Sequence, residues 1–212
     1  MVKLKLKELK QPYIMARDNN ELLENASALR LPGKGKPDNP IIISNLDLFN
    51  TYKCNAILLA NTDLHVIIKN CRFITATHQG AIVRTSAIHL SNVSNITCID
   101  NYFVCVGSSC GVFIHDTNNC QIVFNRFYCD EFVYALFYDK ISRNLIAGNI
   151  VTSEIDTFMG GYDICKYNAI CYNTIFGVSS KMMWGENLDK TENRMFHNLL
   201  ISDLYKHNQE NI

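Results

Sequence analysis

Four polar residues recur at a fixed spacing in the middle of the chain, and three of them can do acid–base chemistry. Ser91, His115, Asp139 and Asp163 lie 24 residues apart. Two stacked carboxyl groups repel when both are ionised, which is how paired carboxylates divide acid and base roles. Glycosidases hold such carboxylates about 5–5.5 Å or about 6.5–9.5 Å apart, and β-elimination needs a base beside cationic stabilisation. We predict catalytic roles for His115, Asp139 and Asp163.

Charged and aromatic residues next to this column are candidates for binding the substrate. Asp116 and Lys140 directly follow two of its members, and Tyr138 and Tyr162 directly precede two. Tyrosine rings there could stack on sugar faces, or could equally pack along the coil. Outward-facing strand positions are normally polar, so an ordinary solvated surface is the alternative interpretation of the whole column.

These residues belong to a repeat that covers most of the chain. Apolar residues flank a small polar position that recurs at spacings of 30, 24, 24, 24 and 25 in Cys71, Asn101, Asn125, Asn149, Asn173 and Asn198. A second, shorter column lies five residues earlier in Asn144, Asn168 and Asn193. Self-similarity at this period indicates a solenoid, in which each repeat buries its apolar face against its neighbours.

Two solenoid classes suit a repeat of about 24 residues. Leucine-rich repeats place aliphatic residues around an Asn in a similar way, but Leu does not dominate here, and three of the Asn residues stand where that motif needs Leu. The other half of each repeat consists of short β-branched and aromatic runs without helical periodicity. We therefore favour a parallel β-helix, with Asn101, Asn125, Asn149 and Asn173 stacked as an internal ladder and Phe73, Phe103 and Phe127 stacked in the core.

The stretch GKGKPDNPIIISNLDLF (Gly33–Phe49), followed by a repeated I-x-x-N-x-[FI], resembles the right-handed parallel β-helix families. It is most similar to NosD-like and pectin-lyase-like repeats of the carbohydrate-binding and sugar-hydrolase type. The resemblance implies an all-β, right-handed, single-stranded parallel β-helix over about residues 33–203. It does not imply one activity, because such folds serve lyases, hydrolases, epimerases, phage tailspikes and inert scaffolds.

The repeat boundaries predict three parts of the chain. Residues 1–32 should cap the first coil with a Lys-rich edge strand and a helix within Glu21–Leu31, residues 33–203 should form about seven coils, and residues 204–212 should be a polar tail. A cap is needed because the end of a solenoid otherwise exposes unpaired strands.

The nine cysteines are best explained as buried thiols, since Cys packs as a small apolar residue. Cys105 and Cys129 should stack on adjacent coils, and a disulfide between them remains open. We expect no metal or other cofactor, because no short-range Cys/His ligand spacing occurs.

Composition narrows the class of function. Twenty basic and twenty acidic residues give a net charge of zero, which argues against nucleic-acid or membrane-surface partners. No signal peptide or membrane-spanning segment is recognisable, so a cytoplasmic or virion-associated protein is expected. The leading hypothesis is a protein that recognises, or also processes, a polysaccharide along one face. The alternatives are a non-enzymatic assembly module, such as a viral fibre or tailspike-like component that forms trimers, and a leucine-rich-repeat interaction protein.

Overall fold

The computed structural model describes residues 8–51, 54–77, 85–107, 109–130, 134–153, 157–161, 165–177, 181–184 and 192–201. One helix and 24 strands are found there. In chain order they are β1 (Glu8–Leu9), β2 (Ile14–Ala16), α1 (Asn19–Ala28), β3 (Ile41–Ser44), β4 (Asp47–Thr51), β5 (Ile57–Thr62), β6 (Val66–Lys69), β7 (Arg72–Ala76), β8 (Ser86–Val93), β9 (Ile96–Ile99), β10 (Tyr102–Val106), β11 (Cys110–His115), β12 (Gln121–Val123), β13 (Arg126–Cys129), β14 (Tyr134–Asp139), β15 (Ile141–Ser142), β16 (Leu145–Ala147), β17 (Ile150–Ser153), β18 (Thr157–Gly161), β19 (Cys165–Lys166), β20 (Ala169–Cys171), β21 (Thr174–Phe176), β22 (Lys181–Trp184), β23 (Arg194–Phe196) and β24 (Leu199–Ile201).

Strands from successive repeats pair in parallel and build three long sheets. The first sheet has the order β1-β4-β7-β10-β13-β17-β21-β24, the second β2-β5-β8-β11-β14-β18-β22, and the third β3-β6-β9-β12-β16-β20-β23. A short pair, β15 and β19, lies in the chain between the second and third sheets. Each complete coil therefore adds one strand to each sheet, and the protein is a parallel β-solenoid, as the repeat predicts.

The solenoid has roughly five turns, whereas the sequence predicts about seven. Five turns separate β3 from β20 in the third sheet. Counting every repeat as a coil overestimates the number because the end rungs are incomplete. Within the described residues, β1 and β2 extend only two sheets at one end, and β23 and β24 extend only two at the other.

The leucine-rich-repeat alternative is wrong, because 59% of the described residues are in strands and only 6% are in a helix. Inward and outward side chains alternate along the strands, so one apolar core runs along the axis. The predicted aromatic stack is present there. The ring centroids of Phe73 and Phe103 lie 5.0 Å apart, and those of Phe103 and Phe127 lie 4.6 Å apart, with interplanar angles of 12° and 6°.

The main Asn column forms a continuous ladder of buried amides, which confirms the prediction. In a typical rung, the backbone N–H and the Nδ2 of Asn125 both donate to Oδ1 of Asn149, at 3.0 and 3.1 Å. Nδ2 of Asn149 in turn donates to the backbone oxygen of Ile122 at 2.8 Å. The same pattern joins Asn101, Asn125, Asn149, Asn173 and Asn198. The ladder supplies the partners that backbone groups at a corner lose when they leave the sheet.

The second Asn column forms its own ladder at another corner. Asn144 donates from its backbone N–H and its Nδ2 to Oδ1 of Asn168, at 2.9 and 3.1 Å. Asn168 donates in the same way to Asn193, at 2.9 and 3.0 Å. One coil earlier, where the column has no Asn, the backbone N–H of Cys120 donates to Oδ1 of Asn144 at 2.8 Å. Each repeat thus has two internally bonded corners in this part of the solenoid.

The corners also require left-handed backbone at one residue each. Positive φ values of 47–62° occur in Asn45, Asn61, Asn70, Asn92, Asn95, Asp100, Asp116 and Asn119. Asn and Asp tolerate this conformation better than other side chains, which explains why many of the corner residues are Asn or Asp. Gly148 (φ 65°) takes the position that Asp100 and Phe124 hold in earlier coils.

The N-terminal segment continues the solenoid and packs a helix on it. Strands β1 and β2 pair with β4 and β5. Helix α1 begins after Asp18, whose side chain accepts from the backbone N–H of Glu21, and it buries Leu22 and Ala26. The helix start is tied to the coil by Asn19, which accepts from the Thr62 hydroxyl at 2.6 Å. Lys3, Lys5 and Lys7 lie outside the described residues, and the predicted part boundaries remain a prediction.

All nine cysteines are free thiols, and all but Cys54 are buried. Cys105 and Cys129 are register partners in β10 and β13, as the 24-residue spacing predicts. A hydrogen bond with Cys129 and burial raise the pKa of the Cys105 thiol well above its ordinary value. In the described part of the chain, no helix is both long enough and apolar enough to cross a membrane.

Candidate functional site

The predicted polar column lies on the outer face of the second sheet. His115 ends β11 and is in register with Ser91 of β8 on one side and Asp139 of β14 on the other. Parallel in-register pairing puts these residues one strand spacing apart, about 4.8 Å. Asp163 and Tyr162 lie outside the described residues, so their predicted catalytic and binding roles stay predictions.

His115 lies between two carboxylates. Its Nδ1 is 2.9 Å from Oδ2 of Asp139, and its Nε2 is 3.1 Å from Oδ2 of Asp116. A doubly protonated ring donates both bonds, whereas a neutral ring donates only one. The side chains of His115, Asp139 and Asp116 are 31%, 27% and 46% exposed. The cluster is therefore held in place yet open to a ligand.

The corner that follows the column explains why Asp116 turns back toward His115. Asp116 and Lys140 have φ values of 47° and 52° and occupy the left-handed position of their coils. The backbone N–H of Asp116 donates to the backbone oxygen of Asp139 at 3.0 Å, which joins the two coils at this point. The side chains of both corner residues are exposed and flank the His115–Asp139 pair, and their binding roles stay predictions.

Tyr138 does not lie on this face, which corrects the prediction that it binds a ligand. Its side chain is 1% exposed and belongs to the core. Successive residues of a strand point to opposite faces, so Tyr138 faces inward because its neighbour Asp139 faces outward. Burial raises the pKa of the Tyr138 hydroxyl, which favours its neutral form. Its contribution is to packing rather than to recognition.

An aromatic strip, formed by His89, Phe113 and Phe137, runs beside the polar column and was not predicted. The rings of His89 and Phe113 lie 4.6 Å apart and meet edge to face, and those of Phe113 and Phe137 lie 5.6 Å apart and are stacked. Burial and the nearby His115 lower the pKa of His89. The 24-residue spacing of these three residues was a signal that could have revealed the strip.

A second candidate surface lies on the outer face of the first sheet, around Arg126. It comprises two adjoining grooves of about 470 and 360 Å³ that share Tyr102, Arg126 and Ile150. Phe124 and Asp100 line the larger groove. The Arg126 guanidinium has no hydrogen bond or ion pair with any described residue. Sequence reasoning missed this surface, although Tyr102, Arg126 and Ile150 are also 24 residues apart.

The two surfaces differ in the chemistry that they offer. The polar column combines an imidazole with two carboxylates, which can exchange protons and bind hydroxyl groups. The Arg126 grooves combine a guanidinium with aromatic rings and one carboxylate, which can bind a ligand but lack an oriented base. Among the described residues, no three His, Cys, Asp or Glu side chains are grouped so that they could hold a metal ion.

Comparison with known proteins does not assign the chain to a family. No protein-family model, no curated protein and no solved structure matches the chain. The assignment that the structure supports is therefore at the level of architecture: the chain is a parallel β-solenoid with a polar column and an aromatic strip on one outer face.

Proposed function

We propose that this protein binds a polysaccharide along the outer face of its second sheet, with His115 and Asp139 as the centre of the binding surface. The observation that carries the proposal is the placement of His115 between Asp139 and Asp116, at 2.9 and 3.1 Å, on an accessible face. The likeness of the repeats to NosD-like and pectin-lyase-like sequences is consistent with such a ligand.

The chemistry of the face suits sugars. Carboxylate oxygens accept hydrogen bonds from hydroxyl groups, and an imidazole can donate or accept. The partly exposed Phe113 offers apolar ring surface beside these groups, whereas Phe137 is buried. Because the column runs from coil to coil, Ser91, His115 and Asp139 present different polar groups in a line along the solenoid axis. A linear polymer can contact several of them, whereas a small ligand engages only one rung.

The test is direct binding of a panel of neutral and acidic polysaccharides, measured by calorimetry and by affinity electrophoresis. We expect the Asp139→Asn variant to bind about tenfold more weakly, since a hydrogen bond to a charged group contributes roughly 1.5–3 kcal/mol. Asp38→Asn removes the same charge from an exposed residue far along the chain and serves as the matched control. Absence of binding to every polymer would overturn the proposal.

Cleavage of the bound polymer is a second candidate, and the His115–Asp139 contact favours it. A carboxylate that accepts from one imidazole nitrogen fixes the orientation of the ring and leaves the other nitrogen for proton transfer. In this structure the other nitrogen contacts Asp116, so a substrate would have to displace that carboxylate. Release of new reducing ends or of unsaturated sugars that His115→Ala abolishes would support cleavage. Binding without products would restrict the protein to recognition.

The assembly alternative is tested on the same sample. Light scattering that shows a trimer, combined with loss of that trimer in a variant of the His115 face, would indicate a subunit interface rather than a glycan surface. A monomer that binds polysaccharide would support the proposal made above.

A further inference from the structure

A cluster of cations lies at the corner directly after the polar column. A groove of about 390 Å³ is lined by Lys140, Ile141, Ser142, Arg143, Lys166 and Tyr167. Three of the six lining residues are basic and none is acidic, although the chain as a whole carries no net charge. Strands β15 and β19 form the groove, because their register sets Ser142 beside Lys166. Buried Ile141 lies beneath it.

Arg143, Lys166 and Ser142 supply the groups of this groove that are available to a ligand. Within the described residues, the Arg143 guanidinium and the Lys166 ammonium form no ion pair, and the Ser142 hydroxyl forms no hydrogen bond. The nearby Glu192 is already engaged, because it hydrogen-bonds to the Tyr167 hydroxyl, which raises the pKa of that hydroxyl. Since three basic residues and no acidic residue line the groove, its lining carries an excess of positive charge.

The backbone of the corner shows that the basic residues replace residues better suited to it. Arg143 has a φ of 55°, at the position that Asn95 and Asn119 hold in earlier coils. Asn119 donates from Nδ2 to Oδ1 of Asn95 at 2.7 Å, so the earlier coils use this corner for a local hydrogen bond. Lys140, with a φ of 52°, likewise occupies the corner position that Asp116 holds in the preceding coil. Arg and Lys are less suited than Asn to left-handed backbone, although other bulky residues, Phe124 and Tyr167 among them, adopt the same conformation.

The groove adjoins the proposed binding face. Lys140 is the residue after Asp139, and Arg143 is four residues after Asp139, which is at most about 13 Å of extended chain. A polymer that contacts His115 and Asp139 can therefore reach the groove without leaving the surface. Because carboxylates line the first site and cations line the second, the two sites select different groups of one ligand.

We infer that the groove formed by Arg143, Lys166 and Ser142 binds the anionic group, a carboxylate or a sulfate ester, of an acidic polysaccharide whose hydroxyl groups contact His115 and Asp139. The inference rests on the proposed function and names its substrate class. Guanidinium and ammonium groups that donate to a carboxylate or sulfate form the stronger, charge-assisted class of hydrogen bond. Neutral polysaccharides lack that contact.

The experiment compares two double variants that remove the same charge. Arg143→Gln/Lys166→Gln removes two of the three cations that line the groove, and Arg30→Gln/Lys34→Gln removes an exposed arginine and an exposed lysine elsewhere. Thermal unfolding confirms that each variant is folded. The probes are polygalacturonate and alginate for carboxylates, dextran sulfate for sulfate esters, dextran as a neutral polymer, and inorganic sulfate as a small anion.

We expect Arg143→Gln/Lys166→Gln to weaken binding of one acidic class by at least about tenfold, the loss of a charge-assisted hydrogen bond, and to abolish stabilisation by inorganic sulfate. The control pair should stay within about threefold after correction for ionic strength. The class that loses affinity identifies carboxylate or sulfate as the anion.

Each failure has a distinct meaning. Acidic polymer binding that depends on Asp139 but is unchanged in Arg143→Gln/Lys166→Gln would overturn the inference and leave the proposed function intact. Equal losses in both double variants would overturn it as well, since they would indicate general electrostatic attraction. Loss only in the control pair would overturn the inference, since it would place the anion site away from this groove. No polymer binding by the unmodified protein would overturn the proposed function and the inference together.

Discussion

Two columns of polar side chains run along the solenoid with the same 24-residue spacing, one inside and one outside. In the inner column, Asn125 and Asn149 are buried, and every amide is bonded to the coil above, to the coil below or to the backbone. In the outer column, Ser91, His115 and Asp139 are partly exposed. The two ring nitrogens of His115 contact Asp139 of the next coil and the adjacent Asp116.

The contrast shows that periodicity alone does not separate structure from function. A buried polar group that loses its hydrogen-bond partner destabilises the folded protein by its full desolvation free energy. The inner column therefore repeats Asn, whose side-chain amide can donate to one coil and accept from another. Water satisfies an exposed polar group, so the outer column is free to change from Ser to His to Asp. Variation within a column, together with exposure, is therefore the better indicator of a binding site.

The largest effect is expected inside. Asn149→Leu would leave the Asn125 backbone N–H and the Ile122 carbonyl without partners, because Asn149 accepts from one and donates to the other. Each orphaned group costs roughly 1–3 kcal/mol, so we expect the free energy of unfolding to fall by about 3 kcal/mol. Urea denaturation provides the measurement. Asn118→Leu, at an exposed Asn with ordinary backbone, should change stability by no more than about 0.5 kcal/mol, and equal losses would refute the ladder's role.

A smaller effect is expected from the outer column, and it should be on binding rather than on stability. His115→Ala removes both carboxylate contacts, yet the His115 side chain is 31% exposed, and such pairs contribute at most about 1 kcal/mol. We expect unfolding to change by less than that amount while polysaccharide affinity falls about tenfold. A stability loss as large as that of Asn149→Leu would mean that the outer column, too, is structural.

For the aromatic strip, the expected effect is on the pH dependence of the free energy of unfolding. Burial and the charge of His115 lower the pKa of His89 below 6.5. The unfolded chain therefore takes up a proton at a higher pH than the folded protein, and stability is lost as the pH falls through about 6.5 and below. His89→Phe keeps an aromatic ring against Phe113 and removes the titration. We expect its unfolding free energy to vary less between pH 7 and pH 5 than that of the unmodified protein; an unchanged slope would contradict this assignment.

The least perturbing test uses the native thiols. Burial raises the pKa values of Cys120 and Cys165 to about 11, so these thiols stay protonated at neutral pH. Only the thiolate is an effective nucleophile. We expect one thiol, the partly exposed Cys54, to react with iodoacetamide in the folded protein, and all nine to react in denaturant. Cys54→Ser should abolish the fast reaction with little effect on stability. Rapid labelling of Cys105 or Cys129 would show that the core opens more readily than its packing indicates.

Much of the fold and part of the site could be predicted, because in a parallel solenoid residues one period apart become register partners. The pairing of His115 with Asp139 and that of Phe103 with Phe127 both follow from the 24-residue spacing. The direction in which a side chain points was harder to predict. Phe137 and Tyr138 are consecutive aromatic residues, so the apolar pattern of β14 does not identify which of them faces inward. Both are buried in the structure, and the outward, partly exposed Asp139 shows that Tyr138 faces the core, whereas Phe137 lies on the other side of the sheet beside Phe113.

The sequence by itself determined the repeat, the strand register, the Asn ladder and the Phe stack, because each depends on residue identity at one period and on nothing farther away. The tertiary structure alone decided how the corners bring different columns together. The contacts of Asp116 with His115, and the grouping of Arg143 with Lys166, depend on left-handed backbone at single corner residues. Such turns change the chain direction by an amount that a spacing pattern does not encode, and the pattern likewise does not fix the number of turns, which is roughly five rather than seven.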